Sequence, residues 1–149
     1  MTNKEQAVKQ YWLNFCDKRK IDPQDLDEAF VFGATKADAD ELSDLVNRRI
    51  KTATTSIHVP TESSSQVGKY CIVLDGDFNP VCVIQNKVYE VMPFKQASQE
   101  HAYHEGEGDR SYKYWYKVHR DFFTKECQER KQIFNENTNV VCEVFTKIE

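Results

Sequence analysis

The sequence predicts an α+β domain, a small curled sheet or barrel with helices around it. Three observations carry that expectation. Stretches with apolar residues at helical spacing alternate with short β-branched runs. Two apolar runs bracket Asp75-Gly76-Asp77-Phe78-Asn79, strong turn chemistry that marks a hairpin. The chain has 149 residues, 40% hydrophobic and 12% aromatic, enough for one domain with one substantial core.

Taken in order, residues 5–19 read as an amphipathic helix on Val8, Tyr11, Trp12 and Phe15. Pro23 opens a short helical segment with Asp22 as its N-cap, and residues 1–28 form an N-terminal helical extension. Ala29 to Phe32 is a strand ended by Gly33. A helix over about 38–50 has Asp38 and Glu41 at capping-box spacing and an apolar stripe of Leu42, Leu45, Val46 and Ile50. Arg48, Arg49 and Lys51 fall in its last turn, where cations suit the helix dipole. Thr52 to Val59 is β-branched and reads as a strand. Residues 60–66 are a polar loop. Lys69–Leu74 and Pro80–Ile84 form the hairpin, and its second strand continues through Val91 with a bend at Asn86-Lys87. Residues 95–109 look irregular and polar. A helix follows over about 110–130, with Asp109 or Ser111 as cap, and Val140 to Ile148 is a final strand.

Composition excludes several classes. No apolar run approaches the roughly 20 residues of a membrane span, and the polar N-terminus lacks a signal-peptide core, so a cytoplasmic protein is expected. Five scattered cysteines (Cys16, Cys71, Cys82, Cys127, Cys142) contain no C-x-x-C pair, which argues against a disulfide framework or zinc knuckle. Cys71 and Cys82 are placed to face each other across the hairpin as reduced thiols. Net charge is −4, yet residues 110–131 carry 7 positive and 3 negative charges while residues 1–47 carry 6 and 10. With Arg48, Arg49 and Lys51, this basic segment is a candidate nucleic-acid face on an acidic protein.

The segment Arg48-Arg49-Ile50-Lys51-Thr52-Ala53-Thr54-Thr55-Ser56 carries the chemical interest. Lys51 and Thr54 share a side only where a helix end meets a strand entry, since residues three apart on one strand face oppositely. There a neutral Lys51 amine can take the Thr54 hydroxyl proton for attack on a carbonyl carbon. A lysine is normally protonated at neutral pH, so that role requires burial or a cationic neighbour such as Arg49. The same segment can hold a phosphate, or be only the end of a helix. His101-Ala102-Tyr103-His104 lacks the spacing of H-E-x-x-H, and no metal or other cofactor is expected. Glu105 and Glu107 can orient a lysine or bind exocyclic amines. On the 110–130 helix, Tyr112, Trp115, Tyr116, His119, Phe122 and Phe123 form a stripe suited to the core, with His119 a packed histidine.

Four segments together resemble the ASCH domain family, over about residues 30–148: Phe32-Gly33; Arg49-Ile50-Lys51-Thr52-Ala53-Thr54; Val67-Gly68 with Val73-Leu74-Asp75-Gly76-Asp77; and Glu105-Gly106-Glu107-Gly108-Asp109-Arg110-Ser111 with Tyr114-Trp115 and Phe122-Phe123. The resemblance implies a PUA-like small β-barrel with flanking helices and an RNA- or nucleotide-binding cleft built on Lys51, Thr54 and Glu105. It also resembles the small bacterial N4-acetylcytidine amidohydrolases of this family. Their Lys-Thr-x-Thr motif is matched by Lys51-Thr52-Ala53-Thr54, and their His-Ala-x-x-Glu stretch by His101-Ala102-Tyr103-His104-Glu105. That likeness implies Lys51 as base, Thr54 as nucleophile and Glu105 as orienting group. Ribonucleases of the family imply a different role, Lys51 stabilising phosphorane charge in the same cleft. Expected contacts to RNA or to a modified nucleoside are Arg48, Arg49, Lys51, Ser56, Arg110 and Ser111. The chain departs from the pattern at Gly68-Lys69, where Gly-Asp is frequent, and at Thr55-Ser56, which replaces the Ile-Arg of the amidohydrolase. An interaction module that keeps the fold without the chemistry is the remaining alternative.

Overall fold

The computed structural model describes residues 1–62 and 67–149. The expected 60–66 loop therefore falls largely on 63–66, outside the described residues. The elements are helix α1 (Asn3–Arg19), strand β1 (Leu26–Val31), helix α2 (Lys36–Asn47), strands β2 (Ala53–Ile57), β3 (Tyr70–Leu74) and β4 (Pro80–Pro93), helices α3 (Gln99–Glu105) and α4 (Tyr112–Glu129), and strand β5 (Asn139–Lys147). No helix among the described residues is long and apolar enough to cross a membrane.

The five strands form one mixed sheet in the order β1-β3-β4-β5-β2. β1 runs parallel to β3, and the other pairs are antiparallel. The apolar run Tyr70–Leu74 is explained by burial on both faces. Cys71 and Val73 pack with Val46 of α2 and Phe145, whereas Ile72 and Leu74 pack with Trp12, Phe15 and Cys16 of α1. A third cluster joins Phe94, Ala102 of α3, Trp115 and Phe123 of α4, and Val140 and Cys142 of β5.

The hairpin turn forms because the Asp75 carboxylate accepts from the Asp77 and Asn79 backbone amides, at 2.9 and 3.0 Å. Cys71 pairs with Ile84 and Cys82 with Val73, so the two thiols are diagonal rather than opposite; all five cysteines are free and buried. The bend in β4 is a register shift between Asn86 and Val88 against β5.

Three expectations are corrected. Among the described residues the sheet does not close into a barrel: β1 and β2 are its two edge strands, with Phe30, Phe32, Thr54 and Phe145 lining a cavity of about 240 Å³ between them. α2 is capped by Thr35, whose hydroxyl accepts from Asp38 N, and it ends at Asn47, before the basic cluster. The polar 95–109 segment contains α3, capped by the Ser98 hydroxyl accepting from His101 N.

Candidate functional site

Lys51 is brought inward by the way α2 ends. Arg49 adopts a left-handed conformation (φ 63°), Arg49 N donates to Val46 O at 3.0 Å, and Ile50 N donates to Leu45 O at 2.9 Å. This is a Schellman closure with arginine where glycine is usual. The chain reverses, Thr52 N donates to His104 O at 2.8 Å, and the Lys51 side chain drops between β2 and α3.

There Lys51 is 2% exposed and among the largest fully buried side chains. Its Nζ donates to Ala53 O at 2.9 Å, Glu107 Oε2 at 3.1 Å and Glu105 Oε1 at 3.3 Å, and lies 5.2 Å from the Phe32 ring centroid. Three acceptors around one nitrogen suit an ammonium. Leaving water costs several kcal/mol per ion, so this cation persists only because the pairing is this complete.

Glu105, at the last residue of α3, is 1% exposed. Oε1 faces Lys51 and His119 Nε2, both at 3.3 Å, and Oε2 accepts from the Thr55 hydroxyl at 2.6 Å and from Trp115 Nε1 at 2.5 Å. Four donors fill the lone-pair positions of one carboxylate. Burial opposes its ionisation, but the charge of Lys51, then His119 and the Thr55 hydrogen bond, outweigh burial and hold its pKa well below the usual carboxylate range.

The two inner histidines differ. His119 Nδ1 faces Trp115 O at 2.8 Å and so carries a proton. Burial disfavours its charged ring, yet the hydrogen bond and charge of Glu105 prevail, and its pKa is raised. His101 Nε2 faces Thr54 O at 3.2 Å and the Thr55 hydroxyl at 2.9 Å. Burial lowers its pKa, only partly offset by Glu105 and the Thr54 carbonyl.

This cluster floors a cavity of about 230 Å³ lined by Lys51, Thr54, Thr55, Glu105, Glu107 and His119, with walls from Phe32, Asp38 and Glu41 on one side and Tyr114, Val118 and Phe122 on the other. Thr54 thus stands in the same cavity as Lys51 and Glu105. Among the described residues its hydroxyl makes no hydrogen bond, and none joins it to Lys51. Thr55, which sequence reasoning passed over, holds the Glu105 bond. Strand alternation contained the signal, because Lys51, Ala53 and Thr55 fall in one phase and Thr54 and Ser56 in the other. His119 and Trp115, read as core, are also partners of Glu105.

Glu105, Glu107 and His119 bring ligand atoms within 4.8 Å of one another, a spacing that suits a metal ion. The Lys51 ammonium already lies between the two carboxylates and supplies the positive charge there.

The expected binding residues scatter. Arg48 is exposed and paired with Asp44 at 2.9 Å. Arg49 donates to Lys147 O at 2.8 Å and, with Lys51, His101, His104 and Lys147, lines a second cavity of about 580 Å³. Ser56 lines the gap between β1 and β2 beside Glu28 and Glu143. Arg110 donates to Tyr103 O at 3.0 Å and stacks 3.7 Å over the Tyr103 ring, while Ser111 caps α4.

Fold and site together define an α+β domain with a buried charged cluster at the base of a ligand-sized cavity. The chain belongs to the ASCH domain family, which it matches over residues 28–149. It is similar to the crystal structure of an ASCH domain from Lactobacillus crispatus JV V101, with 29% identity and a TM-score of 0.83 over 97% of this chain and 92% of that one. A protein from Enterococcus faecalis V583 is similar at 29% identity and a TM-score of 0.86, over 96% and 88%. A hypothetical protein at 19% identity and a TM-score of 0.53, over 81% and 96%, shares the fold. No curated protein matches the sequence.

Proposed function

We propose that this protein binds RNA, through a single nucleoside seated in the cavity above Lys51. The observation that carries the reading is the Lys51 ammonium, 2% exposed and held by Glu105 and Glu107 at the floor of a cavity walled by exposed Tyr114 and Phe122. A titratable group strongly perturbed by burial and charged partners in a cleft, as Glu105 is, is a candidate functional site. The aromatic wall offers a stacking surface for a base. At about 230 Å³ the space suits one base rather than a larger ligand. Arg49 and Lys147, which among the described residues pair with no carboxylate, line the second cavity, which shares Lys51 with the first, and are the cations available there to phosphates. Family membership, with the RNA binding it implies, supports the same reading.

A second reading, hydrolysis of an acylated nucleoside such as N4-acetylcytidine, is favoured by one observation: the uncommitted Thr54 hydroxyl in the same cavity. In that reaction the Thr54 oxygen adds to the amide carbonyl, its proton passes to Lys51, and the nucleoside amine leaves with a proton. Water then cleaves the ester and releases acetate. Lys51 must first hand one proton on, and Glu107 is in contact to receive it. A ribonuclease would use the same cleft, with Lys51 as a fixed charge against the phosphorane.

The test is incubation with N4-acetylcytidine, unmodified nucleosides and short RNAs, comparing wild type with Lys51→Ala. Binding of nucleoside and RNA at low salt that Lys51→Ala abolishes supports the first reading. Deacetylation lost in Lys51→Ala and Thr54→Val supports the second. No binding by wild type at low salt refutes the first reading; N4-acetylcytidine left intact by wild type, or full activity in Lys51→Ala, refutes the second.

A further inference from the structure

The geometry points to Glu107, rather than Glu105, as the carboxylate that reads the ligand, and to a base carrying an exocyclic amine as what it reads. This rests on the reading that the cavity takes a nucleoside, and adds which nucleosides it selects.

The two carboxylates on Lys51 are not equivalent. Glu105 has donors on both oxygens, two from each side, and its side chain is 1% exposed. It has no acceptor capacity left for a ligand, so it is a positioning residue for Lys51. The Glu107 side chain is 21% exposed. Only its Oε2 is engaged, with Lys51 at 3.1 Å, and among the described residues Oε1 accepts nothing. Glu107 therefore presents a free acceptor to the cavity.

Its position is fixed by its neighbours. Gly106 and Gly108 both adopt positive φ, 75° and 58°. A Cβ on Gly106 would lie 2.6 Å from Ile50 O, and one on Gly108 would lie 2.4 Å from the Tyr114 ring. The Glu105-Gly106-Glu107-Gly108 run thus clamps Glu107 between the start of the Lys51 segment and the aromatic wall. Tyr114, Val118 and Phe122, four residues apart on α4 and 41%, 36% and 45% exposed, form that wall.

The charge of the lining gives the ligand's polarity. Asp38, Glu41, Glu105 and Glu107 oppose Lys51 and the His119 ring. A phosphate inside would meet an excess of carboxylates. A base stacked on Tyr114 and donating N–H to Glu107 would meet complementary groups. A carboxylate accepts and cannot donate, so an amine in place is bonded and a carbonyl in the same place is repelled.

The experiment is calorimetric titration of the full chain with two matched pairs, cytidine against uridine and adenosine against inosine. Each pair exchanges an exocyclic amine for a carbonyl. Wild type is expected to bind the amine member about tenfold more tightly or better. Glu107→Gln, whose amide both donates and accepts, should lose the preference while still binding both members of each pair, titrated at a temperature where circular dichroism shows the variant folded, since Glu107 also pairs with buried Lys51. Tyr114→Ala should weaken both members of each pair equally. Equal affinity for amine and carbonyl members in wild type, or a preference that survives in Glu107→Gln, overturns the inference while leaving nucleoside binding intact. Failure of all four nucleosides to bind overturns the inference together with the nucleoside reading it rests on.

Discussion

Glu105→Gln tests whether the buried cluster is as tightly coupled as its geometry indicates. The substitution keeps the shape and removes the charge. One amide end must then present N–H to groups that also donate: either Lys51 and His119, or Thr55 and Trp115. Lys51 is left with Glu107 as its only charged partner. Breaking a buried pair in this way costs about 3–5 kcal/mol. For a chain near 150 residues that corresponds to a fall in melting temperature of about 10 °C. The pH dependence follows from the direction of the Glu105 shift. A depressed pKa contributes stability that is complete above the unfolded value of 4.5 and is lost as pH falls through the folded value. The gap between wild type and variant should therefore be full at pH 5–6 and narrow steadily below about 4.5. Thermal unfolding followed by circular dichroism from pH 3 to 7 measures both. A variant melting within about 2 °C of wild type at pH 6 would mean that the four donors do not act on one carboxylate as described. Adding Lys51→Met to Glu105→Gln should recover part of the loss, because the pair is then removed together.

Two further outcomes are expected. In an NMR titration of the ring protons, His119 should protonate with a midpoint above 6.5 and His101 below it; the reverse order would contradict the assigned partners. The His119 contribution to stability is present below 6.5 and lost as pH rises through its folded value. Thr55→Val should cost about 1–3 kcal/mol, since Glu105 loses a donor and His101 an acceptor, whereas Thr54→Val should stay within about 0.5 kcal/mol. Equal destabilisation by the two, measured by urea unfolding, would mean that the cavity hydroxyl and the structural hydroxyl have been misassigned.

Local chemistry was readable from the sequence wherever it is written within a few residues. The Asp75–Asn79 turn and the Asp22 and Ser111 caps depend on side chains bonding to nearby backbone, and the bend at Asn86-Lys87 is a local register shift. α3 was missed because only Ala102 and Glu105 of its seven residues are buried, which leaves no periodic apolar stripe to detect. Sheet closure was mispredicted because it depends on the register of β1 and β2, strands that never pair and so leave no pattern. The motif identified Lys51, Thr54 and Glu105 as members of one cavity. It did not reveal that Glu105 is saturated, because three of its four donors come from Thr55, Trp115 and His119, which are conventional core residues by spacing. The Arg48, Arg110 and Ser111 side chains are engaged in local pairing, stacking and capping, roles that charge counting does not distinguish from ligand contacts.

The position of β5 has a consequence for when the site can exist. β2, which carries Thr54 and Thr55 and anchors Lys51, reaches the sheet only by pairing with β5. A growing chain has made α2, β2, the β3–β4 hairpin, α3 and α4 before it makes residues 139–147. Until then β2 has no strand to dock on, and the Lys51 ammonium has no reason to leave water for Glu105. During synthesis, which builds structure from the N-terminus, the catalytically suggestive motif is therefore an exposed peptide until the last strand is inserted. Completion of the fold is thus a precondition for any ligand to enter this cavity, because its floor forms only once β5 has docked β2.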